Sequence, residues 1–183
     1  GKLDDLRAAS AWTLEEAAYQ GWHSGPLDVD LDYQEGRLSC DLQGRALTLN
    51  VALDAEKNVE ARAQFNGPVL RRVAPEDVVE LIGALEWSSN LQRPGEQRAE
   101  LQLQHLLWRQ ASWFVELEDS LHVWHLERHT RIEPVRFQTT LGPLAIAGDV
   151  RQDSVDIAVA LTPLDLAELA VGVRAAGELQ LAL

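Results

Sequence analysis

Three histidines in the segment HVWHLERH are the residues whose type and spacing most suggest chemistry. His122, His125 and His129 follow an H-x2-H-x3-H spacing, and imidazole is a common ligand of zinc. The segment alternates polar and apolar residues like a strand, so His122 should face away from His125, while His125 and His129 should share a face about 13 Å apart. This spacing predicts solvated or half-buried histidines, and we expect no metal site.

The carboxylates of the chain are placed where they predict a solvated surface rather than acid–base catalysis. Asp28, Asp30 and Asp32 alternate with apolar residues, which is typical of a sheet with one wet face. A catalytic pair of carboxylates would need a cleft that shifts a pKa, and no stretch of the sequence indicates one. The sequence also lacks nucleophile-elbow, phosphate-loop, dinucleotide-binding and C-x-x-C motifs. We expect no catalytic residues, no cofactor and no enzymatic activity.

The chain is strongly acidic, and its charge limits the partners it can bind. Its 183 residues carry 29 acidic and 16 basic side chains, a formal net charge of −13. A charge of this sign repels nucleic acid and anionic membrane surfaces through long-range electrostatics. The sequence shows no cluster of Lys and Arg that would offset the repulsion, so we expect no nucleic-acid partner.

The dominant pattern of the sequence is alternation of apolar and polar residues, interrupted by Gly, Pro, Asn and charged turns. Leu27, Val29 and Leu31, for example, are separated by single aspartates. Such alternation predicts half-buried strands, and their close spacing predicts an all-β, mainly antiparallel protein. The predicted strands cover residues 5–14, 17–23, 26–34, 37–43, 46–54, 58–66, 83–92, 97–108, 112–118, 121–128, 132–141, 143–151, 154–161 and 177–183.

Two segments break the alternation, and each is predicted to form a short helix. Residues 74–84 place Val78, Leu81 and Ile82 at helical spacing after a proline. Residues 162–172 have the same layout, with a threonine before the proline as a helix cap.

The two predicted helices also resemble each other in sequence. Both segments read Pro, acidic residue, Glu-Leu, Gly and then a strand, which predicts an internal repeat whose units end near residues 92 and 183. We expect residues 1–183 to be a single fragment of a larger repetitive β-sheet protein.

So many one-faced strands would expose a long apolar surface, and large exposed apolar patches are rare in soluble proteins. The sheet could close as a sandwich with an ordinary core. It could also remain an elongated, curved sheet that holds a hydrophobic ligand along an open groove. The alternating pattern is the same in both architectures, so the sequence leaves both open.

Two stretches carry a resemblance to a known family. Residues 131–150, RIEPVRFQTTLGPLAIAGDV, combine an apolar-x-Pro-apolar start, a Gly-Pro turn and a closing AGDV. Residues 162–183, TPLDLAELAVGVRAAGELQLAL, combine a Leu-Asp-Leu-Ala opening, a short helix and a final strand. Both resemble the repeating units of the AsmA-like proteins, and of the TamB family in particular. The strand–turn–strand pattern of residues 25–51 is similar.

The resemblance implies a long β-sheet curled into a U, or taco, in a parent protein anchored in the inner membrane and reaching through the periplasm. Its apolar groove would shield phospholipid acyl chains during transport between inner and outer membrane and support outer-membrane biogenesis. An Omp85-type outer-membrane barrel protein would be a partner of the parent chain. By this resemblance the groove would be lined by Leu27, Val29, Leu31, Tyr33, Leu38, Leu42, Leu47, Leu49, Val51, Leu53, Val59, Phe65, Leu101, Leu103, Val135, Phe137, Leu144, Ile146, Val155, Ile157 and Val159.

A different class of function fits the same pattern. A closed β structural or assembly module of a secretion system, similar to GspN, would pack its apolar face internally and bind protein partners. A module with a discrete pocket, similar to lipoprotein carriers, is a third interpretation, but the uniform alternation counts against it.

Overall fold

The described residues of the chain form one antiparallel β-sheet. The computed structural model describes residues 7–16, 18–72 and 77–162. The 14 strands of the sheet are β1 (Arg7–Leu14), β2 (Ala18–Tyr19), β3 (Trp22–His23), β4 (Leu27–Gln34), β5 (Arg37–Gly44), β6 (Leu47–Leu53), β7 (Asn58–Arg72), β8 (Val78–Asn90), β9 (Arg93–Gln110), β10 (Trp113–Leu117), β11 (Leu121–Leu126), β12 (His129–Thr139), β13 (Gly142–Arg151) and β14 (Ser154–Leu161). The predicted all-β class is confirmed. Within these ranges no helix has the length and hydropathy needed to cross a membrane.

Neighbouring strands in the sheet are mostly neighbours in the chain. The order is β1-β4-β5-β6-β7-β8-β9-β10-β12-β13-β14, and β11 shares the position of β10 between β9 and β12. Tight turns join the hairpins. Glu35 and Gly36 have φ of 53° and 79°, and two successive positive φ values are typical of a type I′ turn. Only β2 and β3 leave this order in the described sheet, because β3 pairs with the far end of β7.

The helix predicted over residues 74–84 is wrong for residues 78–84, which belong to β8. This strand pairs with β7 on one side and with β9 on the other. Its apolar residues fit helical spacing locally, but two continuous hydrogen-bond ladders outweigh a helix of two or three turns, which is marginal on its own. Residues 163–172 of the second predicted helix, and the predicted strand 177–183, lie outside the described residues.

Besides the start of β8, the observed strand boundaries differ from the predicted ones chiefly at three places. The predicted strand 17–23 is divided into β2 and β3 by a turn at Gln20 and Gly21, which both have positive φ. β7 extends past residue 66 to Arg72, since both β8 and β3 pair with its far end. The turn after β8 lies at Leu91 and Gln92, so the Pro-Gly dipeptide that follows is inside β9 rather than in the turn.

Two of the four register shifts in the described sheet lie at one level of the long strands, while the other two lie at Pro68/Leu70 and Ser88/Asn90. β8 and β9 change register between Ile82 and Gly83, and β12 and β13 change register between Ile132 and Val135. At the same level β10 and β11 interrupt what is otherwise one strand, because both pair with β9 and with β12. Bulges add local twist and bend the strands that carry them. We infer that the sheet bends along this level.

The bend gathers a small core. Leu103, Leu117, Val135 and Phe137 are between 2% and 8% exposed and form one cluster. Gly83 lies against this cluster, and a Cβ at its position would be only 2.1 Å from the carbonyl oxygen of Gln102. No large side chain is fully buried among the described residues, so this core is shallow compared with that of a sandwich.

Candidate functional site

The residues predicted to line a groove share one face of the sheet, which we call the apolar face. Direct cross-strand pairing aligns them in rows, and such neighbours contact each other through their side chains. The rows in the first strands are Tyr33, Leu38, Leu53 and Val59; Leu31, Cys40 and Val51; Val29, Leu42 and Leu49; and Leu47 with Phe65. Farther along the sheet, Leu101 pairs with Leu85, Val135 with Ile146 and then Val159, and Phe137 with Leu144.

The apolar face stays open in β1 and β4–β6, which we call the N-terminal part of the sheet. Leu38 is 38% exposed, and Trp12 of β1 is 53% exposed. Leu27 is buried, and the remaining predicted groove residues of β4–β6 are half-buried. A packed core would cover such side chains almost completely. The N-terminal part therefore presents a continuous, solvent-accessible apolar surface.

The apolar face is partly closed in β8–β13, which we call the C-terminal part of the sheet. Leu103, Val135 and Phe137, three of the predicted groove residues, belong to the core at the bend. Leu101 and Ile146 are only partly buried and pack against that core. Here the apolar side chains contact one another, and their contact with a lipid stays a prediction.

The opposite face, which we call the acidic face, carries the carboxylates that the alternation predicted to be solvated. Asp30 and Asp41 are direct cross-strand neighbours, and such like-charged pairs repel. Asn50 donates a hydrogen bond to Asp41 from the next strand, which offsets part of this repulsion. Arg62 lies 4.0 Å from Glu86 on the same row. These charges keep a wide sheet hydrated on this side.

His122 and His125 lie on opposite faces, as their spacing predicted. The imidazole of His122 is on the acidic face, 2.9 Å from Glu100 through Nε2 and 3.3 Å from Glu133 through Nδ1. His125 is paired with Ala99 in an apolar row, and its Nδ1 lies 2.7 Å from the hydroxyl of Thr130. In the described part of the chain, His, Cys, Asp and Glu side chains form no group of three that could hold a metal ion.

The prediction that His129 shares a face with His125 is wrong. β11 ends at Leu126, and after a turn His129 begins β12 directly opposite Leu126. His129 therefore lies on the acidic face, where its Nε2 contacts Asp149 and its ring meets Trp124 edge-on at 4.8 Å. The sequence pattern missed the turn because Glu127 adopts positive φ without a glycine.

Two carboxyls on the acidic face have lowered pKa values. The hydrogen bond from His129 lowers the pKa of Asp149. A hydrogen bond from the Gln102 amide, and then one from His122, lower the pKa of Glu100. Glu100 is exposed and Asp149 is half-buried, so these contacts are cross-strand ties between polar side chains rather than a desolvated catalytic site.

A cleft of about 370 Å³ lies where β3 meets the far end of β7, and we call it the arginine cleft. It is lined by Glu16, His23, Ser24, Gly25, Pro26, Arg45, Pro68, Arg71 and Arg72. The sequence shows no cluster of Lys and Arg, but the structure brings three arginines together in this cleft. Positions that are far apart in the sequence meet because β3 folds back onto β7, and the adjacent pair Arg71 and Arg72 was the only local signal.

Arg72 is held firmly in the cleft. Its guanidinium lies 5.2 Å from the centre of the Trp22 ring, 3.6 Å from Asp77 and 3.1 Å from the carbonyl oxygen of Gln20. Its Nε is buried without a hydrogen-bond partner among the described residues. His23 lies 2.6 Å from Glu16 at the same cleft.

Similarity to known proteins does not indicate the function of this chain. Comparison with protein-family models, with curated protein sequences and with solved structures found no match. The open apolar face and the arginine cleft are therefore the features on which a function can be argued.

Proposed function

We propose that the chain shields phospholipid acyl chains along the apolar face of its sheet. The observation that carries this proposal is the exposure of aligned apolar rows in the N-terminal part, where Leu38 and Trp12 are 38% and 53% exposed. A surface of this kind on a soluble protein is typical of an interaction site.

The physical chemistry of the face suits an acyl chain. Strands lie about 4.8 Å apart, so each row offers apolar contacts at regular intervals across the sheet. Burial of apolar surface contributes about 25 cal/mol per Å² and has no preferred direction, so a chain could slide from row to row. The acidic face on the other side would keep the sheet hydrated and would repel anionic headgroups from that side.

The cellular setting of the proposal comes from the sequence resemblance. In that setting the chain is a segment of an inner-membrane-anchored, envelope-spanning protein that moves phospholipid through the periplasm to the outer membrane. An Omp85-type barrel protein would then be the partner of the parent chain.

The C-terminal part favours a second candidate for its own strands. Leu103, Val135 and Phe137 pack as a core there, as expected for a closed assembly module that binds protein partners. The open N-terminal part does not fit that alternative, because half-buried rows of leucine and valine would be left without a cover.

Native mass spectrometry with lipid extraction of the purified chain tests the proposal. We expect near-stoichiometric phospholipid with the unchanged chain. Val51→Asp should abolish the bound lipid and leave the circular dichroism spectrum unchanged, because Val51 is half-buried in an open row. Ala52→Asp is the matched control, since it adds the same charge to the next residue, on the acidic face.

Two results would contradict the proposal. If Val51→Asp unfolds the chain, the apolar face of β6 is a packed core. If the unchanged chain carries no lipid and binds none when phospholipid is added, the exposed rows serve another partner, and the assembly-module alternative is favoured.

A further inference from the structure

The arginine cleft differs in charge from the rest of the molecule. The chain carries 29 acidic and 16 basic residues, yet three arginines line this cleft against one glutamate, with Asp77 paired to Arg72 beside it. A cavity of about 330 Å³ on the acidic face instead has three glutamates, Glu60, Glu86 and Glu100, against two arginines. The net charge of −13 gives the protein a negative electrostatic potential overall, and the arginines make the potential at this cleft locally more positive.

The arginines of the cleft also have donors to spare. Neither Arg45 nor Arg71 forms an ion pair with any residue that the structure describes, and both are exposed. The guanidinium of Arg72 forms an ion pair with Asp77 and donates a hydrogen bond to the carbonyl oxygen of Gln20. Its Nε–H is buried and has no hydrogen-bond partner among the described residues. Because this nitrogen is covered by the chain, the guanidinium donors that a ligand in the cleft can reach are those of the exposed Arg45 and Arg71.

The cleft adjoins the apolar face. Leu27 and Leu47 lie at the ends of the apolar rows next to Pro26 and to the turn that contains Arg45. That turn is tied to β7 by the hydrogen bond from the Asn66 amide to the carbonyl oxygen of Ala46, 2.9 Å long. A molecule with an apolar tail along the rows could therefore place a polar head in the cleft.

We propose that the arginine cleft binds a phosphate group. Guanidinium groups match the geometry of phosphate oxygens and can donate two parallel hydrogen bonds to them. The group could come from a phospholipid headgroup or from free phosphate, and both sources present the same oxygens to Arg45, Arg71 and Arg72. The headgroup version rests on the proposed lipid function, whereas the phosphate site itself does not.

Calorimetric titration of the purified chain with two probes tests the site. The probes are inorganic phosphate and dihexanoyl phosphatidic acid below its micelle concentration. The double variant Arg45→Ala/Arg71→Ala should weaken binding by about 100-fold, because each lost charge-assisted hydrogen bond is worth roughly tenfold or more. The control Arg37→Ala/Arg151→Ala removes the same charge from two exposed positions outside the cleft and should change binding less than about threefold.

Each pattern of results decides between the sources or against the site. Binding of both probes that is lost in the cleft variant supports a phosphate site open to free phosphate. Binding of the lipid probe alone, lost in the cleft variant, supports a headgroup site. Equal weakening in the cleft and control variants, or no binding of either probe, overturns the inference. Lipid binding that the cleft variant retains and Val51→Asp loses would overturn the site alone and leave the proposed lipid function standing.

Discussion

The N-terminal and C-terminal parts of the sheet use the same alternation of apolar and polar residues but differ in how far the apolar face closes. Strands β4–β6 are seven or eight residues long and pair without a register shift. Strands β8 and β9 have 13 and 18 residues and shift register near Gly83. The long, bulged strands bend and cover part of their own apolar surface, whereas the short, regular strands leave theirs open. Strand length and bulges, rather than composition, thus separate the part of the apolar face that packs on itself from the part that stays open.

The largest effect should come from filling the close approach at the bend. Gly83→Ala places a Cβ 2.1 Å from a backbone oxygen, and we expect it to lower the free energy of unfolding by about 3 kcal/mol or more. Gly95→Ala in β9 is the control, because its Cβ would meet nothing within 4 Å, and it should change stability by less than about 1 kcal/mol. Urea denaturation measures both. Similar losses in the two variants would show that the bend is not a tight backbone contact.

Truncation of a leucine to alanine should lower the free energy of unfolding more in the C-terminal part of the sheet than in the N-terminal part. Leu103→Ala removes a side chain that is 4% exposed in the core, and we expect a loss of about 3 kcal/mol. Leu49→Ala removes a half-buried leucine from an open row and should cost about 1 kcal/mol. Equal losses in urea denaturation would mean that β4–β6 pack as tightly as the bend, against the comparison drawn above.

Quenching of tryptophan fluorescence should show which face of the sheet an apolar ligand contacts. Trp12 is exposed on the apolar face of β1, whereas Trp124 lies on the acidic face against His129. With a brominated fatty acid as quencher, Trp12→Phe should remove a larger share of the quenched emission than Trp124→Phe. A larger loss with Trp124→Phe would place the apolar ligand on the opposite face.

The smallest effect concerns pH. The contact with His129 holds the pKa of Asp149 below its ordinary value of 3.8 in the folded chain. Between the pKa of Asp149 in the folded chain and its ordinary value, the unfolded chain binds more protons than the folded chain does. The contribution of the Asp149–His129 contact to stability is therefore present above about pH 4 and is lost as the pH falls through the pKa of Asp149 in the folded chain. Asp149→Asn should make the acid dependence of the unfolding midpoint shallower.

The control for the pH measurement lies in the other part of the sheet. Asp32 in β4 is exposed and has no hydrogen-bond or ion-pair partner among the described residues, so Asp32→Asn should leave the acid dependence close to that of the unchanged chain. A steeper acid dependence in Asp149→Asn than in Asp32→Asn would mean that the His129 contact does not stabilise the fold.

Most strands could be predicted because the alternation of apolar and polar residues is a local property. For Val29, Leu42 and Leu49, the polar residues on either side in the sequence are enough to indicate which face of the sheet the side chain occupies. The strand character of residues 78–84 could not be predicted in this way, since it depends on ladders to β7 and β9. The bulges that make the bend depend on the register between strands. The arginine cleft depends on the long-range pairing of β3 with β7, through Trp22 with Arg72 and His23 with Arg71, which leaves no pattern in the sequence.

The strand order has a consequence for how the chain folds. Because most strands pair with a neighbour in the sequence, a hairpin such as β4–β5 can form from residues that are close in the chain. Sheets that grow strand by strand also open strand by strand, as in other quasi-one-dimensional architectures. Among the described strands, the pairing of β3 with β7 joins the most distant positions, because residues 24–70 lie between its two partners. The arginine cleft should therefore be the last part of the molecule to assemble and the first to open.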